Sequence, residues 1–112
     1  MTLHPDLGSG RWRELTLAEQ LGNVGSEVSR ALKAAASGNE ARKAAALDRA
    51  LELFDLTLAD PKHRGRLREL CRAREVLCDY FFGGNRYGSD PESLDRYFTQ
   101  FALLARRSHG RA

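Results

Sequence analysis

Apolar residues recur along this chain at helical spacing and almost nowhere at strand spacing. At about 100° per residue, Leu17, Leu21, Val24, Val28, Ala31, Leu32 and Ala35 share one face. A second run aligns Ala44, Leu47, Ala50, Leu51, Phe54 and Leu58. A third aligns Leu67, Leu70, Cys71, Leu77, Cys78 and Phe81, and a fourth Leu94, Tyr97, Phe98, Phe101, Leu104 and Ala105. No sustained alternation rich in Val, Ile and Thr competes with these patterns.

Start and stop signals bracket each run. Thr16-Leu17-Ala18-Glu19 is a capping box, with only Leu15 apolar at the staple positions Leu15 and Gln20. Ser37-Gly38-Asn39 breaks the first helix and caps the second. Asp60-Pro61 and Asp90-Pro91 each place an acidic cap before a proline that has no N–H to lose. Gly83-Gly84 closes the third helix. The predicted helices span 16–36, 40–59, 61–82 and 91–107. Short connections make consecutive helices antiparallel neighbours. The expected fold is all-α: an antiparallel, up-down-up-down four-helix bundle over residues 15–107. A flexible lead (1–14) precedes it and a tail (108–112) follows, with Trp12 expected as a lid on one end.

Three features depart from a simple amphipathic pattern. Arg74 falls in the middle of the third apolar stripe. It needs a carboxylate or several carbonyls, or must snorkel to water. The plainer reading is a buried structural ion pair inside the bundle, with Asp55 the first choice ahead of Asp48 and Glu27; the other is a ligand- or partner-binding arginine. Leu53 and Leu56 lie off the stripe of the second helix, which Ala46, Leu53 and Thr57 widen on one side. Such width suits either a central helix or an oligomer interface. Gly22 and Gly25, with Ser29, form a narrow strip on the first helix. Each mid-helix glycine costs about 1 kcal/mol against alanine, so a close backbone approach is expected there, within the monomer or across a dimer.

At 112 residues the chain is one domain by length. Its formal charge of +3 is modest, but the placement is uneven. Lys62, Arg64, Arg66, Arg68, Arg72 and Arg74 stand against Glu69 alone between residues 61 and 74. Arg64, Arg68 and Arg72 follow one another at i, i+4. Cationic side chains in a line along a helix match the phosphates of a nucleic-acid backbone. The plainer alternative is a solvated face whose arginines pair with neighbouring acids.

Catalytic and metal chemistry find no support. GxxxxGK[ST], HExxH and CxxC are all missing. Cys71 and Cys78 are seven apart on one helix, too far for a disulfide, and read as small core residues. No cofactor, metal or catalytic residue is expected. No apolar run reaches the roughly 18 residues of a membrane span, and the N-terminus lacks a signal-peptide layout, so a cytoplasmic protein is expected.

Four capped helices, short turns and a basic third helix resemble the small bacterial four-helix-bundle proteins. These include the proteins encoded in ribosomal RNA intervening sequences and the accessory variability determinant proteins of diversity-generating retroelements. The stretches LGNVGSEVSRAL, RALELFDLTLADPK and RLRELCRAREVLCDYFFG look similar to such proteins. Residues 22–27 echo the Asn-Ile-Ala-Glu-Gly stretch of the intervening-sequence proteins, but in the first helix, which is a departure. The resemblance implies a ring-like homo-oligomer, often a pentamer, whose basic surface engages RNA or a nucleic-acid enzyme. It transfers no binding residue position by position.

Two functional expectations follow. One is a non-enzymatic, homo-oligomeric accessory protein (dimer to pentamer) that binds RNA or DNA, or a nucleic-acid-processing protein, through Lys62, Arg64, Arg66, Arg68 and Arg72. The other is a protein-interaction module without nucleic acid, in which Gly22, Gly25, Leu53 and Leu56 form the interface.

Overall fold

The computed structural model describes residues 9–110. Five α-helices follow one another: α1 (Ser9–Trp12), α2 (Leu17–Ala36), α3 (Glu40–Leu58), α4 (Leu67–Phe82) and α5 (Pro91–Gly110). A 3-10 segment, Pro61–Arg66, joins α3 to α4. The first eight residues of the expected lead, the last two of the tail, and the side chains of Leu104 and Ala105 lie outside what is described.

The capping signals act as their chemistry requires. Glu19 N–H donates to Thr16 Oγ1 at 3.1 Å, and Thr16 N–H donates to Glu19 Oε1 at 2.8 Å. Asn39 caps α3 by accepting from Arg42 N–H at 3.1 Å. Between these helices Gly38 takes φ +75°, a conformation that favours glycine. At the start of α5, Asp90 Oδ1 accepts from Ser93 N–H at 2.8 Å.

Helix α2 is the centre of the molecule, packed on α3 along one side and on α5 along another. Cross-helix contacts run antiparallel between α2 and α3: Glu27 pairs with Arg49, and further down Gln20 meets Asp60. The core contains Leu21, Val24, Val28 and Ala31 of α2, Leu47, Ala50 and Phe54 of α3, Leu70 and Leu77 of α4, and Leu94 and Phe98 of α5. Phe54 and Phe98 meet edge to face at 5.9 Å.

At Gly25 the close approach predicted for the glycine strip lies within the chain. A Cβ on Gly25 would stand 2.9 Å from Phe98 Cβ and 3.2 Å from Phe98 O. Gly25 therefore serves α2–α5 packing. Leu53 is likewise inside, only 2 % exposed, and Leu56 is half-buried against the core. The buried face of α3 is Ala46, Leu47, Ala50, Leu53, Phe54 and Thr57, while Ala44 is exposed. That face is turned from the predicted stripe because α3 is covered from two sides, by α2 and by α4.

The predicted helix over 61–82 is two pieces. His63 departs from helical geometry (φ −98°, ψ 15°), and Arg66 (φ −116°) starts α4 afresh. Asp60 does cap the turn, accepting from Lys62 N–H at 3.1 Å. The buried His63 ring is bonded inward, which draws this turn toward α2. The inner face of α4 is Leu70, Ala73 and Leu77. Leu67 and Cys71, predicted for the core, are exposed.

The described part of the lead includes the short helix α1. Trp12 is fully buried, and its indole N–H donates to Thr57 Oγ1 at 3.1 Å. The lid predicted for one end is there, carried on the short helix α1.

Candidate nucleic-acid interface

The basic segment is held by a buried polar cluster that joins three parts of the chain. Gln20, at 0 % exposure, donates from Nε2 to Trp12 O and to Asp60 Oδ2, both at 2.9 Å. Its carbonyl oxygen is then left to accept, so His63 Nε2, 2.8 Å away, carries the proton. Lys62 Nζ bonds Asp60 Oδ2 and, at 2.7 Å, Arg13 O. Burial alone would raise the Asp60 pKa. Hydrogen bonds from Lys62 and Gln20 outweigh it and hold the carboxyl at about 2. His63 is pushed below its ordinary value, first by burial, with Asp60 opposing and Lys62 and Arg66 assisting.

Sequence reading identified Asp60 only as a cap and Gln20 only as the polar member of an incomplete staple. The cue it lacked was two polar residues, Gln20 and His63, at positions that turn inward from separate helices.

Above this cluster the predicted cations differ in their partners. Lys62 is engaged by Asp60 and by Arg13 O, as described. Arg66 lies 3.6 Å from Glu69, a loose pair between two exposed side chains. Arg72 sits over the Tyr87 ring at 5.9 Å. Tyr87 is itself fixed to α4, donating from Oη to Glu75 Oε2 at 3.0 Å and from its backbone N–H to Asp79. Arg64 and Arg68 are exposed and pair with no acid among the described residues. Because the 3-10 segment ends between them, Arg64 is not in helical register with Arg68; Arg68 and Arg72 remain one turn apart on α4. Lys62's contact with Arg13 O brings Arg13 into the same neighbourhood, a cation that the sequence pattern had not linked to it.

No protein-family model, curated protein or solved structure matches the chain.

Arg74 pairs with Asp55 as predicted, Nε to Oδ1 at 3.4 Å, but not in the interior. Asp55 is 65 % exposed and the Arg74 side chain 37 % exposed. The pair ties α3 to α4 at the surface, where such contacts contribute about 0–1 kcal/mol. Arg74 Nε itself makes no hydrogen bond. Cys78 Sγ lies 4.0 Å from Arg74 Nη1.

Among the described residues no three His, Cys, Asp or Glu side chains gather as a metal site. No described helix is long and apolar enough to cross a membrane.

Proposed function

We propose that this chain is a non-enzymatic helical accessory protein that binds RNA or DNA through the basic segment at the start of α4. Its four long helices run up-down-up-down, and several copies join as a homo-oligomer. The observation that carries the reading is the pair Arg64 and Arg68, exposed and without acid partners among the described residues. Cations already paired with carboxylates have little to gain from a phosphate; unpaired ones neutralise it and release its counterions.

Two further features support it. No side chain caps the start of α4, so the positive end of that helix adds to the charge of Arg64, Arg66 and Arg68. The buried Gln20–Asp60–His63 cluster fixes the backbone on which those arginines stand, which reduces the ordering cost of binding.

The interaction-module reading is weakened at two of its four residues, since Leu53 is in the core and Gly25 meets Phe98 of its own chain. The test is a fluorescence-anisotropy titration with a labelled single-stranded RNA at low salt. Arg64→Ala with Arg68→Ala should weaken binding about tenfold or more, with unchanged helical content and mass. Equal affinity in the double variant, or no binding by the native chain, removes the reading.

A further inference from the structure

The α2–α3 hairpin carries a second concentration of cations, at the end away from Pro61–Arg66. Arg30, Lys33 and Ala34 of α2, its C-cap Ser37, and Arg42, Ala45, Ala46 and Arg49 of α3 line a groove of about 530 Å³. Both sets follow i, i+3, i+4, i+7, so each is one face of its helix, and the groove runs along the seam between them. Ala34 and Ala46 are buried and form its floor. Alanine there leaves open the space that a larger apolar side chain would fill. The volume is in the range of sites that hold small organic ligands.

The charges around the groove are ordered. Glu27, 4 % exposed, accepts from Arg30 Nη1 through Oε1 and from Arg49 Nε through Oε2, each at 2.6 Å. Burial alone would raise the Glu27 pKa, but the two guanidinium hydrogen bonds bring it below its ordinary value, so it stays ionised. One buried carboxylate thus orients two guanidinium groups, and each keeps further N–H donors for another acceptor. Lys33 and Arg42 make no side-chain hydrogen bond or ion pair among the described residues. Four cations around one bonded carboxylate leave a positive excess in a concave site.

We propose that this groove binds a phosphate group, as a second anion site separate from the start of α4. The chemistry is that of phosphate oxygens: guanidinium forks on Arg30, Arg42 and Arg49 match them, and Lys33 adds a point charge. A free phosphoester such as a nucleotide and the backbone of a nucleic acid both present that group. The two cationic regions lie toward opposite ends of the hairpin: Gln20, which holds the basic segment, and Lys33 are roughly 20 Å apart along α2. One can therefore be altered without touching the other.

The experiment uses the full chain at low salt with three probes: pyrophosphate and ATP by calorimetry, and a labelled single-stranded RNA by anisotropy. Three proteins are compared: native, Lys33→Ala with Arg42→Ala, and Arg64→Ala with Arg68→Ala. Lys33 and Arg42 are exposed and unpaired, so their removal should leave the fold unchanged by circular dichroism. Their loss should weaken at least one class of probe about tenfold or more. Weakening of pyrophosphate and ATP alone assigns a small free phosphate compound; weakening of the RNA assigns backbone phosphate. Ala45→Glu, which sets a carboxylate in the groove, should weaken the same probes further. If all three probes bind the Lys33/Arg42 variant as they bind the native chain, or none binds the native chain, the site is refuted. RNA affinity lost only in the Arg64/Arg68 variant would refute the groove and leave the α4 interface standing.

Discussion

His63 Nε2 lies 2.8 Å from Gln20 Oε1, two buried side chains 43 residues apart in sequence. Through Gln20 the contact reaches Trp12 O and Asp60 Oδ2, so α1, α2 and the turn before α4 are joined by one hydrogen-bond network. The arginines of the basic segment stand on the outside of that turn.

The network makes stability depend on pH in a stated direction. Burial pushes the His63 pKa below its ordinary 6.5. Between the folded-state pKa and 6.5 the unfolded chain therefore binds more protons, and stability falls as pH drops through that window. Urea melts at pH 7 and at about pH 5.5 should show the loss, and His63→Gln should reduce it. A native chain equally stable at both pH values would mean that His63 is not held neutral.

Asp60 is also shifted downward, but in a more acidic range. Its carboxyl is held at about 2 against an ordinary 3.8. The contribution of the ionised form is present above 3.8 and is lost as pH falls through about 2. Asp60→Ala removes the cap at Lys62 N–H and strips Gln20 Nε2 and Lys62 Nζ of a partner. It should cost about 2–4 kcal/mol at neutral pH and flatten the acid limb of the melt.

Gly25 and Gly84 should respond oppositely to a side chain. Gly25→Val drives methyl groups into Phe98 and should cost about 1–3 kcal/mol by overpacking the α2–α5 contact. Gly84 has nothing within 4 Å of a Cβ, and Gly84→Ala should change stability by less than about 0.5 kcal/mol. Thermal melts of the two variants make the comparison.

Trp12 is the only tryptophan, and it is fully buried. Its emission should be blue-shifted in the folded chain and move to longer wavelength on unfolding. Trp12→Ala should destabilise by about 3–5 kcal/mol, the cost of a large core truncation. Leu53→Lys should unfold the monomer rather than dissociate an oligomer, since Leu53 is interior.

Much of the fold was legible because the helices are punctuated by local chemistry. Thr16, Asn39, Asp60 and Asp90 each cap where their side chains predict, since a cap needs only its next three residues. Which face is buried depends on neighbours that no local pattern reveals. Ala44 was expected inside and is exposed, while Leu53 was expected at an edge and is in the core. The break at His63 had the same origin. Asp60-Pro61 and the periodicity after it read as one helix, but the partner that draws His63 inward is Gln20, on another helix. For the site, Arg64 and Arg68 were legible as cations from sequence, and their lack of acid partners was not. The groove of Arg30, Lys33, Arg42 and Arg49 was hidden because its two halves lie on separate helices and are acceptable surface positions on each.

The central claim is that unpaired cations at the start of α4 contact phosphates. The most direct measurement is the slope of log affinity against log salt for a single-stranded RNA. Each phosphate neutralised contributes about 0.7 to the steepness of that slope. The native chain should show a clear negative slope, and Arg64→Ala with Arg68→Ala should make it shallower by about 1.4. An identical slope in native and variant chains would mean that neither guanidinium meets a phosphate, and would contradict the account.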